Sequence, residues 1–167
     1  MHQRLTLAGA GQHSINDCIS RMIELVKPGG LVELVEAFFD ESWESGNGPA
    51  LKKFDEMMLA LMEMVGVGYG YATKLADLVK ESGLVDVEER VFVVRYGQGV
   101  EDKGIREKSV KQMVGTAKVV SGIANGLLKE KMSDDELRAF PDLVRRELEE
   151  RGAVFRYVGV WGRKPAR

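Results

Sequence analysis

Two carboxylates, Glu33 and Glu36, interrupt the apolar run Leu31–Phe39, and few other residues of this chain have a type and setting suited to chemistry. The run is nearly continuous and partly β-branched, which predicts a strand covered on both faces, as in a parallel sheet. Side chains alternate along a strand, so the two carboxylates point to opposite faces. Glu36 falls at the carboxyl end, where ligands bind in open α/β sheets. It either faces a substrate or is a paired carboxylate at the sheet rim. Glu33 lies deeper and is expected to meet a buried donor, since an unpaired charge there is costly. Trp43 stands in the polar stretch Asp40–Pro49 and either lines a substrate pocket or packs over the sheet edge. Gly66-x-Gly68-x-Gly70 has the look of a cofactor loop, but such a loop follows a strand. This one follows a helical pattern and reads as a connector. One cysteine and two histidines cannot supply an ordinary zinc set, so no metal site is expected. No Ser-His-Asp arrangement is evident.

The elements that must position these residues follow from periodicity. Ser14 caps a helix whose apolar face is Ile15, Cys18, Ile19, Met22, Ile23 and Val26. Pro28-Gly29-Gly30 ends it and reverses the chain into the Leu31 strand. Ala50–Val65 repeats Leu51, Phe54, Met58, Leu61, Met62 and Val65 on one face, a helix stopped by Gly66. Tyr71–Ser82 is a short helix with Leu75, Leu78 and Val79 inward. Val85–Tyr96 is a Val-rich strand. Ile105–Lys131 is a long helix in which Gly115, Gly122 and Gly126 mark bends or close packing. Ser133 and Glu136 form a capping box for a helix through Arg151 that Pro141 should kink or split. Ala153–Trp161 is a final strand. Helix-rich crossovers between strands predict an α/β sheet, and no domain boundary or internal repeat is apparent.

At 167 residues a single domain with a real core is the expectation. The chain is 44% hydrophobic and 30% charged with a net charge of −2. That balance offers no basic surplus for nucleic acid or anionic lipid. No apolar run is long enough to span a bilayer, and the lone Cys18 reads as a core thiol in a reducing compartment. Cytoplasm or nucleus is the expected location.

His2-Gln3-Arg4, the block Val26-Lys27-Pro28-Gly29-Gly30-Leu31-Val32-Glu33-Leu34-Val35-Glu36, Glu81-Ser82-Gly83-Leu84-Val85-Asp86-Val87 and Trp161-Gly162-Arg163-Lys164-Pro165 occur in this order. Together they resemble the C-terminal half of a class I S-adenosylmethionine-dependent methyltransferase, most similar to the fungal LaeA-like group of secondary metabolism. The resemblance implies that His2-x-Arg4 closes a fourth strand beside the cofactor, which makes His2 and Arg4 the cofactor-binding candidates. It implies that the Leu31 strand is the fifth, and that the last two strands form a hairpin with the final strand antiparallel. Several helices would cover this Rossmann-like sheet. Residues 1–167 are then expected to be one partial domain lacking the N-terminal cofactor-binding half, because the family's glycine-rich loop and ribose-holding acid have no counterpart in the sequence. The implied function is methyl transfer from S-adenosylmethionine to a small molecule, with Glu36 and Trp43 on the substrate side and the isolated chain inactive. The alternative is a non-catalytic interaction or regulatory module derived from such an enzyme. The Leu31–Phe38 strand, of which Met1–Leu7 can cover only part, is also expected to present an open edge, through which the chain would self-associate or bind a protein partner.

Overall fold

The computed structural model describes residues 1–11, 13–39, 45–64, 66–68, 70–127 and 132–166. Trp43 lies outside the described residues. In chain order the elements are β1 (His2–Arg4), α1 (Ile15–Glu24), β2 (Leu31–Ala37), α2 (Pro49–Met64), α3 (Leu75–Glu81), β3 (Val85–Tyr96), α4 (Lys103–Leu127), α5 (Asp134–Glu150) and β4 (Ala153–Arg163). Short 3-10 turns at Leu7–Ala10, Ala72–Lys74 and Gly97–Gly99 join them. Two compact units result. One comprises Met1–Trp43, Met62–Val93 and Arg156–Arg167, and the other Glu44–Leu61 and Val94–Phe155.

The first unit holds most of a four-stranded mixed sheet ordered β1-β2-β4-β3. β1 runs parallel to β2, pairing His2 with Glu33 and Arg4 with Val35. β4 runs antiparallel to β2, pairing Leu31 with Arg163 and Ala37 with Tyr157. β3 is antiparallel to β4 as well. Phe92 stacks on Tyr157 at 5.9 Å, while Gly159 lies against Arg90 and Gly162 against Val85, so rising numbers on one strand meet falling numbers on the other. This is the α/β arrangement expected from the sequence, with the final strand antiparallel and inserted beside the Leu31 strand.

The Pro-Gly-Gly turn has a local cause. Gly29 has φ of +76°, and a Cβ on Gly30 would fall 2.8 Å from the Lys27 carbonyl. Ser14 Oγ accepts the Asp17 amide at 3.0 Å and starts α1. The Lys164 ammonium donates to the Ile23 carbonyl at 2.9 Å at the other end of that helix. Ile19 and Ile23 of α1, Leu75 and Val79 of α3, Val32 and Leu34 of β2, and Val158 and Val160 of β4 make one core.

Coverage of β2 differs from expectation. Val32, Leu34 and Glu36 are buried, whereas Leu31, Glu33, Val35 and Ala37 are exposed or half-buried. A nearly continuous apolar run cannot by itself say whether a second layer covers the other face. The open edge also moves. Residues 1–5 pair along β2, with Met1 accepting the Glu33 amide at 2.9 Å and Leu5 donating to Val35 at 2.8 Å, so the edges among the described strands are β1 and β3. β1 is short and polar, which discourages edge pairing.

In the second unit, α4 packs on α5. α5 runs unbroken from Asp134 to Glu150 through Pro141, with its capping box at Ser133 formed in full. The expected split is absent because Leu137, Phe140, Val144 and Leu148 are buried on both sides of the proline. Gly115 and Gly122 of α4 have nothing near the Cβ position, so they do not mark close packing. Among the described residues, no helix is long and apolar enough to cross a membrane, and no group of three metal-ligating side chains comes together.

Candidate functional site

Glu36 organises the carboxyl end of the β1–β2 pair. Its side chain is 1% exposed. Oε1 accepts the backbone amides of Thr6 and Leu7, each at 3.1 Å, and Oε2 accepts the Tyr71 hydroxyl at 3.1 Å. Burial nonetheless outweighs these three donors and holds the carboxyl above its ordinary value. The segment it grips is strained at one point: Leu5, just past β1, has φ of 53°, a left-handed conformation that costs a β-carbon-bearing residue about 1–2 kcal/mol. One buried acid thus fixes where the chain turns away from β1 and ties that turn to Tyr71.

The two carboxylates therefore exchange the depths expected of them. Glu33 is on the more open face, its side chain 45% exposed, with Oε2 2.7 Å from His2 Nδ1. Such a surface pair contributes about 0–1 kcal/mol. Strand alternation does place the two on opposite faces, but which face is buried is set by α1 and α3, which pack on the Val32 side. His2 and Arg4 share one face of β1 by the same alternation and are both exposed. Beyond β2, the Phe38 amide donates to the Arg156 carbonyl at 2.9 Å, and the Arg156 guanidinium lies 4.6 Å from the Phe38 ring centre. The structure thus gathers Arg4, Thr6, Glu36 and Phe38 at one end of the β1–β2 pair, the side on which open sheets bind ligands.

The second unit has its own buried acid, which periodicity along the chain did not single out. Glu147 of α5 is 7% exposed, and its carboxylate accepts the Ala50 amide at 2.8 Å and the Leu51 amide at 3.3 Å. It caps α2 from almost a hundred residues away. Asn47 reinforces this entry by exchanging two 2.9 Å hydrogen bonds with Val154. Beside the cap, Pro49, Phe140, Leu143 and Arg146 line an open groove of about 820 Å³.

S-adenosylmethionine, implied by the resemblance, needs a glycine turn between a strand and a helix whose amides stay free. Two described connections have the spacing, Gly46-Asn47-Gly48 before α2 and Gly97-Gln98-Gly99 after β3. In both, the chain itself fills the space. A Cβ on Gly48 would lie 2.5 Å from the Glu147 carboxyl carbon, and one on Gly97 would lie 2.1 Å from the Leu148 carbonyl oxygen. The helix amides are also engaged, Ala50 and Leu51 by Glu147 and Ile105 by Asp102 at 2.8 Å. Neither of these two turns offers a cradle for that cofactor.

No protein-family profile matches the chain. The chain is 27% identical over 164 residues to methyltransferase psoC of Aspergillus fumigatus, a match covering 98% of this chain and 59% of that protein. It is 28% identical over 169 residues to N-methyltransferase sirN of Leptosphaeria maculans, covering 99% and 59%. It is 25% identical over 169 residues to N-methyltransferase tcpN of Claviceps purpurea, covering 98% and 59%. The chain thus spans 59% of the length of each of these curated relatives. Along nearly its whole length, this protein is similar to fungal methyltransferases.

Proposed function

We propose that these 167 residues are the acceptor-side part of an S-adenosylmethionine-dependent methyltransferase, a partial domain that acts on a small molecule with nitrogen as the methyl-accepting atom. The observation that carries this reading is similarity over 98–99% of the chain to relatives two of which are named N-methyltransferases. The sheet order supports it. Placement in the LaeA-like group and in secondary metabolism belongs to the same proposal, as does a site in cytoplasm or nucleus.

The roles proposed here rest on the resemblance and, for Glu36, on its hydrogen bonds. The glycine turns of these residues are used internally, so the cofactor is held chiefly by residues outside them, with His2 and Arg4 at its border. Glu36 is a positioning residue. With both oxygens engaged by the chain's own donors, it fixes the Thr6–Leu7 turn from beneath the substrate side. Trp43 is proposed to line the acceptor pocket. Methyl transfer to nitrogen asks mainly for alignment and at most one proton acceptor, so the acceptor side needs little acid–base machinery. A non-catalytic module is the second reading, favoured by the occupied amides of α2 and α4.

The deciding experiment follows labelled methyl groups from S-adenosylmethionine into aromatic and aliphatic amines. The chain is assayed alone and together with the part of methyltransferase psoC that lies outside the matched segment. Labelled amine from the combination, and none from either piece, is the expected result. A folded combination that binds the cofactor and methylates no amine would overturn the enzyme reading in favour of the module.

A further inference from the structure

The groove beside the α2 cap lies wholly within the second unit and is open to water. Its volume of about 820 Å³ falls in the usual range for small-molecule sites, roughly 300–1,000 Å³. Ala139, Leu143 and Arg146 succeed one another at helical spacing along α5 and line it together with Pro49 of α2 and the edge of Phe140. Leu143 is 45% exposed, whereas Leu137, Phe140, Val144 and Leu148 of the same helix are buried. The apolar wall from Ala139 to Leu143 is about 6 Å long at the helical rise, the size of an aromatic ring, and it ends at Arg146.

Charge decides what such a wall can hold. Most charged side chains of the groove are already engaged. Lys53 binds Glu56 at 3.1 Å, Asp135 binds Arg138, and Glu136 closes the Ser133 capping box. Glu147 accepts the Ala50 and Leu51 amides. Arg146, Glu150 and Arg151 also line the groove, and no described residue pairs with them. Two guanidiniums against one carboxylate leave a surplus of one positive charge at the end where α5 stops.

We infer that this groove binds a small aryl carboxylate, its ring on Ala139 and Leu143 against Pro49 and its carboxylate held by the Arg146 guanidinium. Arg151 adds positive charge at the same end. The planar guanidinium fork matches a carboxylate with two parallel hydrogen bonds. A neutral ring of the same size makes the apolar contact but leaves Arg146 to water. An ammonium in its place meets the positive surplus. The site goes beyond methyl transfer and needs no cofactor, so it stands or falls apart from the enzyme reading.

The test is backbone-amide NMR of the 167-residue chain titrated with hydrocinnamate, with hydrocinnamyl alcohol and phenylpropylamine as neutral and cationic controls. Saturable shifts in Ala139–Arg151 are expected from the acid, at an affinity about tenfold or more above that of the alcohol. Added salt should narrow that gap. Arg146→Gln should abolish the preference for the acid, and Leu143→Asp should weaken acid and alcohol alike. Both side chains are exposed, so the variants are expected to fold, which circular dichroism checks. The inference fails if the acid gives no saturable shift, or if the alcohol or the amine binds as well as the acid. It fails equally if Arg146→Gln keeps the preference. Should a variant not fold, the three ligands on the unaltered chain decide alone.

Discussion

At the residue scale, the fold turns on acids placed where water does not reach. Replacing Glu36 with Ala leaves the Thr6 and Leu7 amides without their acceptor, and a loss of about 2–4 kcal/mol is expected for breaking a buried charged network. Urea unfolding of the variant measures it. The pH dependence is set by Asp55 and Glu36, whose folded-state carboxyls are raised. A raised carboxyl favours the protonated folded state, so its stabilising share is whole below the unfolded value and is lost as pH rises through the folded one. For Asp55 that window runs from 3.8 to about 7. Asp55→Asn should therefore stabilise the chain on the order of 2 kcal/mol at pH ~8, after discounting for partial exposure. The gain should vanish near pH ~4, and thermal melts across pH follow it. Both carboxylates of β2 were visible in the sequence, and so was their placement on opposite faces. Which face the core takes was not, because it depends on helices that are remote along the chain.

At the scale of elements, α2 depends on an acid that belongs to α5. Glu147→Ala should cost about 1–2 kcal/mol, the range for losing a helix cap, and should fray the first turn of α2 in hydrogen exchange. Gly97→Ala is expected to be more damaging, because its Cβ would meet the backbone carbonyl of Leu148 at 2.1 Å and no side chain can swing aside. Capping signals local in sequence were readable: Ser14 before α1 and the Ser133–Glu136 box before α5 both form. Long-range caps such as Glu147 leave no spacing signature. The proline expected to kink or split α5 does not split it, since burial of the apolar stripe from Leu137 to Leu148 outweighs one missing backbone bond.

At the scale of the whole molecule, the strand order was legible because the three longer strands carry their own patterns and the family resemblance supplied the connections. The exposed edge was misplaced, because a segment as short as His2–Arg4 shows no periodicity yet closes β2 along Leu31–Val35. One consequence concerns Val32 and Leu34, 1% and 0% exposed. Val32→Lys or Leu34→Lys should unfold the chain rather than blunt an edge, by about 3 kcal/mol or more for an unpaired buried charge. Circular dichroism and sedimentation of the variants would report lost structure rather than a tidier monomer. We propose that these residues hold the methyl acceptor while the cofactor is bound chiefly elsewhere. Isothermal titration of the 167-residue chain with S-adenosylmethionine tests it most directly. No saturable heat is expected, and saturable binding at micromolar cofactor would overturn this division of roles.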